Sequence, residues 1–236
     1  MASSAPHEPS PEDAPRERVD PDLSVVEPLR TTRIEALSDG IFAIAMTLLV
    51  LGLPVPPPTA GPVALVEALV ELWPRFLGYG TTFLVLGGYW MGQQAQLHFI
   101  RRADHVLLWE TMLFLSLVAA LPFTAALLGE HLEQADALIA NLVYCAHLMV
   151  TGLVHYATWR HATHERKLVD PSMPRRLIAR YAALALGPPV LYAVAMPLAL
   201  VSGPASLIIC ALVPIAAVFV PHSLALRAAR SRGHAR

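Results

Sequence analysis

Residues 33–56 read RIEALSDGIFAIAMTLLVLGLPVP: Arg33, Glu35, Ser38 and Asp39 crowd the first turns, and from Gly40 to Pro54 only Thr47 carries a polar side chain. Wound as a helix at about 100° per residue, Arg33, Leu37, Gly40, Leu48, Leu51 and Val55 fall within about 40° of Ile44, with Ile41 and Thr47 about 60° to either side. Glu35, Ser38 and Asp39 point elsewhere. The segment therefore has a long apolar stripe holding one hydroxyl, and a second face carrying two acids at i and i+4, which repel unless a cation lies between them. Thr32-Arg33-Ile34-Glu35 fits a capping box with Thr32 as N-cap and Glu35 at N3. An acid so close to hydrocarbon calls for a partner, and His98, Arg101 and Arg102 are the candidates at that level. One reading anchors this helix end at the headgroups; the sharper one has a polar cluster locking the first helix to its neighbours. On pattern alone the stripe is ordinary packing or lipid contact.

The rest of the chain is built like that stretch. It has 236 residues, is 55% hydrophobic and only 15% charged, with mean hydropathy +0.51, where a soluble domain carries roughly 25% charged residues. Six apolar segments stand out, near 36–55, 75–98, 106–128, 137–159, 177–201 and 205–226. Each has about the 20 residues a membrane crossing needs, and none alternates like a barrel strand, so they read as helices. Pro122, Pro188, Pro189, Pro197, Pro214 and Pro221 fall inside them, which membrane helices tolerate because neighbours satisfy the freed backbone groups.

Charge distribution sets the expected topology. With the N-terminus inside, six spans place every Lys and Arg except Arg75 on the cytoplasmic side, while Glu67, Glu71, Glu130, Glu133 and Asp136 face out. That is a strong positive-inside pattern, predicting a multi-pass cell-membrane protein with both termini cytoplasmic. Residues 1–31 form an expected disordered tail: the first 30 hold six prolines and seven acids and no apolar signal-peptide core. Residues 32–226 form the expected membrane domain, and 227–236 a basic tail. Cys145 and Cys210 fall within spans, so no disulfide framework is implied.

Residues 33–51, together with 89–123, YWMGQQAQLHFIRRADHVLLWETMLFLSLVAALPF, resemble the transmembrane protein 175 family of potassium channels, whose first helix opens R-x-x-x-F-S-D-G. Arg33, Ser38, Asp39 and Gly40 match that signature, with Leu37 where the family has Phe. Trp90, the Arg-Arg-Ala-Asp turn and Pro122-Phe123 sit in family-like positions. Gln93 and Gln94 stand where a His is usual, and Glu110 where Asn is typical. The resemblance implies an all-α integral membrane protein with six transmembrane helices per chain, assembled as a homotetramer whose first helices line a central pore without a filter loop. Ile44 then corresponds to the constricting isoleucine, Thr47 to the threonine that contributes to selectivity, and Leu48 and Leu51 to further hydrophobic rings. All four lie on the stripe obtained from periodicity alone. The implied function is a potassium-permeable monovalent cation channel, gated by that hydrophobic constriction. Arg33 at the mouth is expected to pair with Glu35 or Asp39 of a neighbouring chain, and Glu110 is a candidate to join the cytoplasmic polar network and titrate.

Other motifs carry less. LGYGTT at 77–82 contains the Gly-Tyr-Gly of potassium-channel filters but lacks the preceding Thr-Val and a pore helix, so Gly78 and Gly80 read as small residues in helix packing. Tyr144, His147, Thr151 and His155 fall roughly on one face of the fourth segment and read as interhelical hydrogen bonders, with a proton path or metal site as the sharper alternative. His161 and His164 lie in a basic connection beside Glu165. No phosphate loop, nucleophile elbow or H-E-x-x-H run occurs, so no enzymatic activity and no cofactor are expected. The expected partners are potassium ions, the lipid bilayer and further copies of the chain, with no nucleic acid and no metal beyond the permeating potassium. A proton-coupled secondary transporter is the rival reading, followed by a non-conducting scaffold.

Overall fold

The computed structural model describes residues 31–213 apart from 59–60, 132–133, 167, 203–204, 207 and 211. The expected tails, save Thr31, lie outside the described residues, as do Pro214, Pro221 and half of the sixth apolar segment. The described chain is all-helical in its regular structure: α1 (Thr31–Leu48), α2 (Pro62–Glu71), α3 (Trp73–Phe99), α4 (His105–His131), α5 (Ala137–Thr163) and α6 (Arg175–Val201). Helical residues resume within 205–213.

Four stretches are long and apolar enough to cross a membrane: Thr31–Gly52, His105–His131, Ala137–Arg166 and Arg175–Val201. α3, α4, α5 and α6 match the second to fifth expected segments to within a few residues, while α1 starts five residues before its segment and ends seven short of it; α3 is not among those four. It has the length, at 27 residues, yet its glycines, glutamines and tyrosines dilute its hydropathy. Its polar side chains Thr82, Gln93 and Gln96 are buried within the bundle. The ten-residue α2, none of whose residues is buried, does not follow from the six apolar segments.

Local chemistry sets the boundaries. After Leu48 the first helix tightens into a 3₁₀ turn, Leu49–Gly52, and Leu53 is extended (φ −91°, ψ 112°), as the residue before Pro54 must be to avoid its ring. Gly61, at φ 138°, supplies a backbone that only glycine adopts readily, and Pro62 opens α2 at its first turn. Asp104 caps α4 by accepting the Leu107 N–H at 2.8 Å. Thr31 is already helical, so Thr32 lies inside the first turn and the expected capping box does not form.

α4 is the central element: it packs against α1, α3 and α5, and α5 packs against α6. One buried cluster runs through the bundle, with Phe42, Leu86, Phe114, Val118, Leu121, Tyr144 and Leu148 at its heart. A second gathers Ile34, Leu97, Ile100, Leu107, Ala162, Leu168 and Val169. It brings the start of α1, the end of α3, the start of α4 and the end of α5 to one level. An antiparallel bridge between Ile100 and Val169 and the Arg101 N–H donating to Leu168 O at 2.8 Å close that end. The basic residues 33, 101, 102, 160, 166, 175, 176 and 180 are therefore gathered at one end of the bundle.

Candidate functional site

α1 divides cleanly. Ile34, Ser38, Phe42, Ala45 and Leu49 are buried, while Arg33, Leu37, Gly40, Ile44, Thr47, Leu48 and Leu51 are exposed. Ile44 is 59% exposed, Leu48 43% and Leu51 76%, against 1% for Phe42. The stripe thus has no partner among the described residues of its own chain. The exposed arc is also wider than the stripe, taking in Ala36 and Ala43. Thr47 donates its hydroxyl hydrogen to Ile44 O at 2.8 Å; with its proton spent on its own helix, the oxygen of this exposed residue is left to act as an acceptor. A methyl at Gly40 would meet nothing within 4 Å, so packing inside the chain gives no reason for glycine there.

The signature residues separate into different tasks. Ser38, fully buried, donates to Ile34 O at 2.8 Å, so its hydroxyl is satisfied within the helix. Asp39 Oδ1 accepts Trp90 Nε1–H at 2.8 Å and Gln94 Nε2–H at 2.5 Å. These charge-assisted bonds tie α1 to α3. The polar lock expected at this helix end exists, but not with the expected cations. His98, Arg101 and Arg102 lie beyond Gln94 in the chain, and Arg101 turns toward Asp170 at 3.9 Å. Neutral donors one helical turn apart, Trp90 and Gln94, reach the carboxylate instead. Arg33 and Glu35 make no ion pair among the described residues.

Glu110 does not join Asp39. It lies in α4 with Oε2 buried and without a hydrogen-bond partner, and the charged groups acting on it are Asp104 and His161. His161 Nε2 sits 3.0 Å from Asp104 Oδ2 and 3.2 Å from Oδ1. Asp104 thereby serves as both helix cap and ion-pair partner. Burial works against its charged form, but the Leu107 N–H and His161 outweigh that and hold its carboxyl below the ordinary value. The expected network of Arg33, Asp39 and Glu110 is split because the two acids attach to different helices, one through α3 and one beside α5.

The polar residues of α5 are interhelical hydrogen bonders on more than one face. Tyr144 Oη lies 2.8 Å from Thr82 Oγ1 of α3. The two ring nitrogens of His147 bond Leu117 O at 3.1 Å and Thr124 Oγ1 at 2.9 Å, bracing α4 on either side of Pro122. His155 Nε2 accepts from Gln96 Nε2 at 3.0 Å, packed against Gly92, where a Cβ would come within 3.0 Å of it. Thr151 bonds its own helix at His147 O. Gly78 does face α4, where an added methyl would lie 3.7 Å from Ala125 O, but a methyl at Gly80 would meet nothing within 4 Å, so only one of the pair serves packing here. Among the described residues no group of three or more His, Cys, Asp or Glu is placed to hold a metal. Trp90 and Gln94 carry no sequence signal as ligands of Asp39 beyond their spacing of four, one helical turn of α3.

The family described as endosomal/lysosomal potassium channel TMEM175 matches residues 33–122. A potassium channel of Streptomyces collinus is 37% identical over 180 residues, covering 74% of this chain and 85% of that one. One from Chamaesiphon minutus is 35% identical over 177 residues, covering 75% and 87%. The endosomal/lysosomal proton channel TMEM175 of Homo sapiens is 31% identical over 176 residues, 69% of this chain but 34% of that protein. The crystal structure of a lysosomal potassium-selective channel TMEM175 homolog from Chamaesiphon minutus superposes with a TM-score of 0.72 at 33% identity, covering 80% of this chain and 96% of that one.

Proposed function

This chain belongs to the TMEM175 family, and from that premise we propose that it is a potassium-permeable cation channel with six spans per chain, four copies placing their α1 helices around one pore. The carrying observation is the exposed stripe of Ile44, Leu48 and Leu51 on a helix whose opposite face is packed into its own bundle. An apolar stripe left bare by its own chain faces either lipid or other copies. A threonine oxygen presented from it, and an arginine at its charged end, suit an ion path better than hydrocarbon.

Mechanism follows from those side chains. Four isoleucines around an axis make a ring that water wets poorly, so a narrow ring stops ions without a plug, and widening or rotating it opens the path. Thr47 lies one turn deeper; its lone pairs replace part of a cation's hydration, which favours the more easily dehydrated potassium over sodium. Ala36 and Ala43, on the flank of the stripe, are small enough to let adjacent α1 helices approach closely. Arg33 repels cations unless paired, and Glu35 or the second carboxylate oxygen of Asp39 from the next copy is its partner. The basic end of the bundle faces the cytoplasm.

Reversal potentials of purified protein in planar bilayers, with potassium on one side and sodium on the other, test this. A current reversing toward the potassium potential, enlarged by Ile44→Asn and made less selective by Thr47→Ala, is the expected result. No current from folded, oriented wild type or Ile44→Asn protein sinks it. Proton conduction is the second reading, favoured by the unpartnered buried oxygen of Glu110. A pH gradient under symmetric potassium separates the two.

A further inference from the structure

Where α5 hands over to α6 the chain walls a cavity of about 490 Å³. Arg160, Arg166 and Arg175 line it with His164 beside them, and Glu165 is the acid of that wall. Ile178 and Ala182 of α6 supply an apolar side.

The frame is firmly held. Buried Trp159 donates Nε1–H to Ile178 O at 3.2 Å, and its ring lies 5.5 Å from that of Tyr181. Just beyond α5 come two consecutive left-handed residues, Glu165 at φ 52° and Arg166 at φ 58°. They turn the chain back so that Arg166 Nη1 donates to Pro171 O at 3.0 Å.

The charge around this space is unbalanced. Three arginines of the described wall stand against one acid, Glu165, and no salt bridge joins them to Asp104, Asp136 or Asp170. Asp104 is engaged by His161, and Asp170 by Ser172 and, more distantly, Arg101. Guanidiniums held around one cavity repel each other until an anion enters. Their planar forks match phosphate oxygens in pairs. A cationic rim above an apolar wall, at the end of a membrane bundle, has the make-up of a site for an acidic lipid headgroup.

We propose that this cavity binds a phosphate group, gripped by Arg160, Arg166 and Arg175, carried either by an anionic phospholipid or by free phosphate. The site is separate from the pore stripe, and its test reads no current. Full-length protein in detergent would be titrated with phosphatidylglycerol or phosphatidylcholine in mixed micelles, and with sodium phosphate against sodium chloride at equal ionic strength. Melting temperature and lipid retained per subunit in native mass spectra are the readouts. Wild type is compared with Arg160→Gln/Arg175→Gln, two exposed positions whose change leaves the core untouched, and with Arg102→Gln as a control at the same end of the bundle. Phosphatidylglycerol raising the wild-type melting temperature, with binding roughly thirtyfold weaker in the double variant and unchanged in Arg102→Gln, establishes the lipid form. The same pattern with sodium phosphate establishes the free anion. Equal binding by wild type and double variant, or equal losses in the double variant and Arg102→Gln, overturns the proposal, because the effect would then be general surface charge.

Discussion

The two faces of α1 carry residues of the same kinds and do opposite work. Phe42 and Ile44 are neighbours in the chain, yet Phe42 is 1% exposed and Ile44 59%. Phe42 rests with its ring 6.1 Å from that of Phe114, in a cluster that also holds Leu86 and Val118. Ile44 meets no packed surface among the described residues of its own chain. Hydrophobicity cannot distinguish them; which one is used for folding and which is left bare depends on where the other helices stand.

Truncating each face separates those roles. Phe42→Ala removes the largest side chain of α1 from a dense core and is expected to cost roughly 3–5 kcal/mol, read as a large fall in melting temperature in detergent. Ile44→Ala should change that temperature very little, because an exposed truncation typically stays within about 0.5 kcal/mol. A comparable fall for both variants would break the distinction between the faces.

Gly152→Ala comes next. Its methyl would lie 3.0 Å from Pro189 Cδ and 3.2 Å from Tyr89 Oη, so α5 and α6 must part, at roughly 1–3 kcal/mol. Tyr89 also donates to Leu148 O at 2.8 Å, and that bond is lost or stretched. Destabilisation here with an unaltered reversal potential would show that α5 and α6 serve as scaffold for a pore built elsewhere.

Asp39→Asn should cost roughly 1–2 kcal/mol, since the charged acceptor for Trp90 and Gln94 becomes neutral. This change probes the border between the faces, and a lowered melting temperature accompanied by altered current would mark Asp39 as the link between scaffold and stripe. A variant with Trp90→Phe and Gln94→Leu should reproduce the loss if those donors carry it.

The smallest effect is expected at Asp104. Its carboxyl is held below the ordinary value, so the charged form is favoured by folding; that contribution is present above the ordinary carboxylate range and disappears as pH falls through the lowered value, below about pH 4. Melting temperatures followed from pH 6 to pH 3 should drop less steeply for Asp104→Asn than for wild type, and parallel curves would mean the cap and the His161 pair contribute nothing.

Much of this architecture is legible from composition and periodicity. Long runs of Leu, Val and Ala give α4, α5 and α6 within a few residues of their observed bounds and the existence of α1, because helix formation in hydrocarbon is forced by the need to satisfy the backbone locally. The stripe of Ile44, Thr47, Leu48 and Leu51 follows from a period set by the helix itself. α2 is less visible: the ten residues PVALVEALVE lie below the length of a span and resemble a loop between two apolar segments.

Contacts between distant residues are another matter. Asp39 and Gln94 are fifty-five positions apart, and nothing periodic connects them. Charge alone pointed to arginines as the partners of an acid, whereas the approach of α3 to α1 presents an indole and an amide first. Glu110 was likewise grouped with Asp39 by chemistry, although α4 carries it toward Asp104 and His161. The sequence by itself determined that the chain enters a membrane as helices, that its positive charge collects at one end, and that α1 bears one apolar stripe, because each follows from local solvation or helical repeat. Only the tertiary structure decided which face of α1 stays bare, who holds Asp39, and that Arg160, Arg166 and Arg175 surround one cavity, because those facts depend on the relative placement of helices.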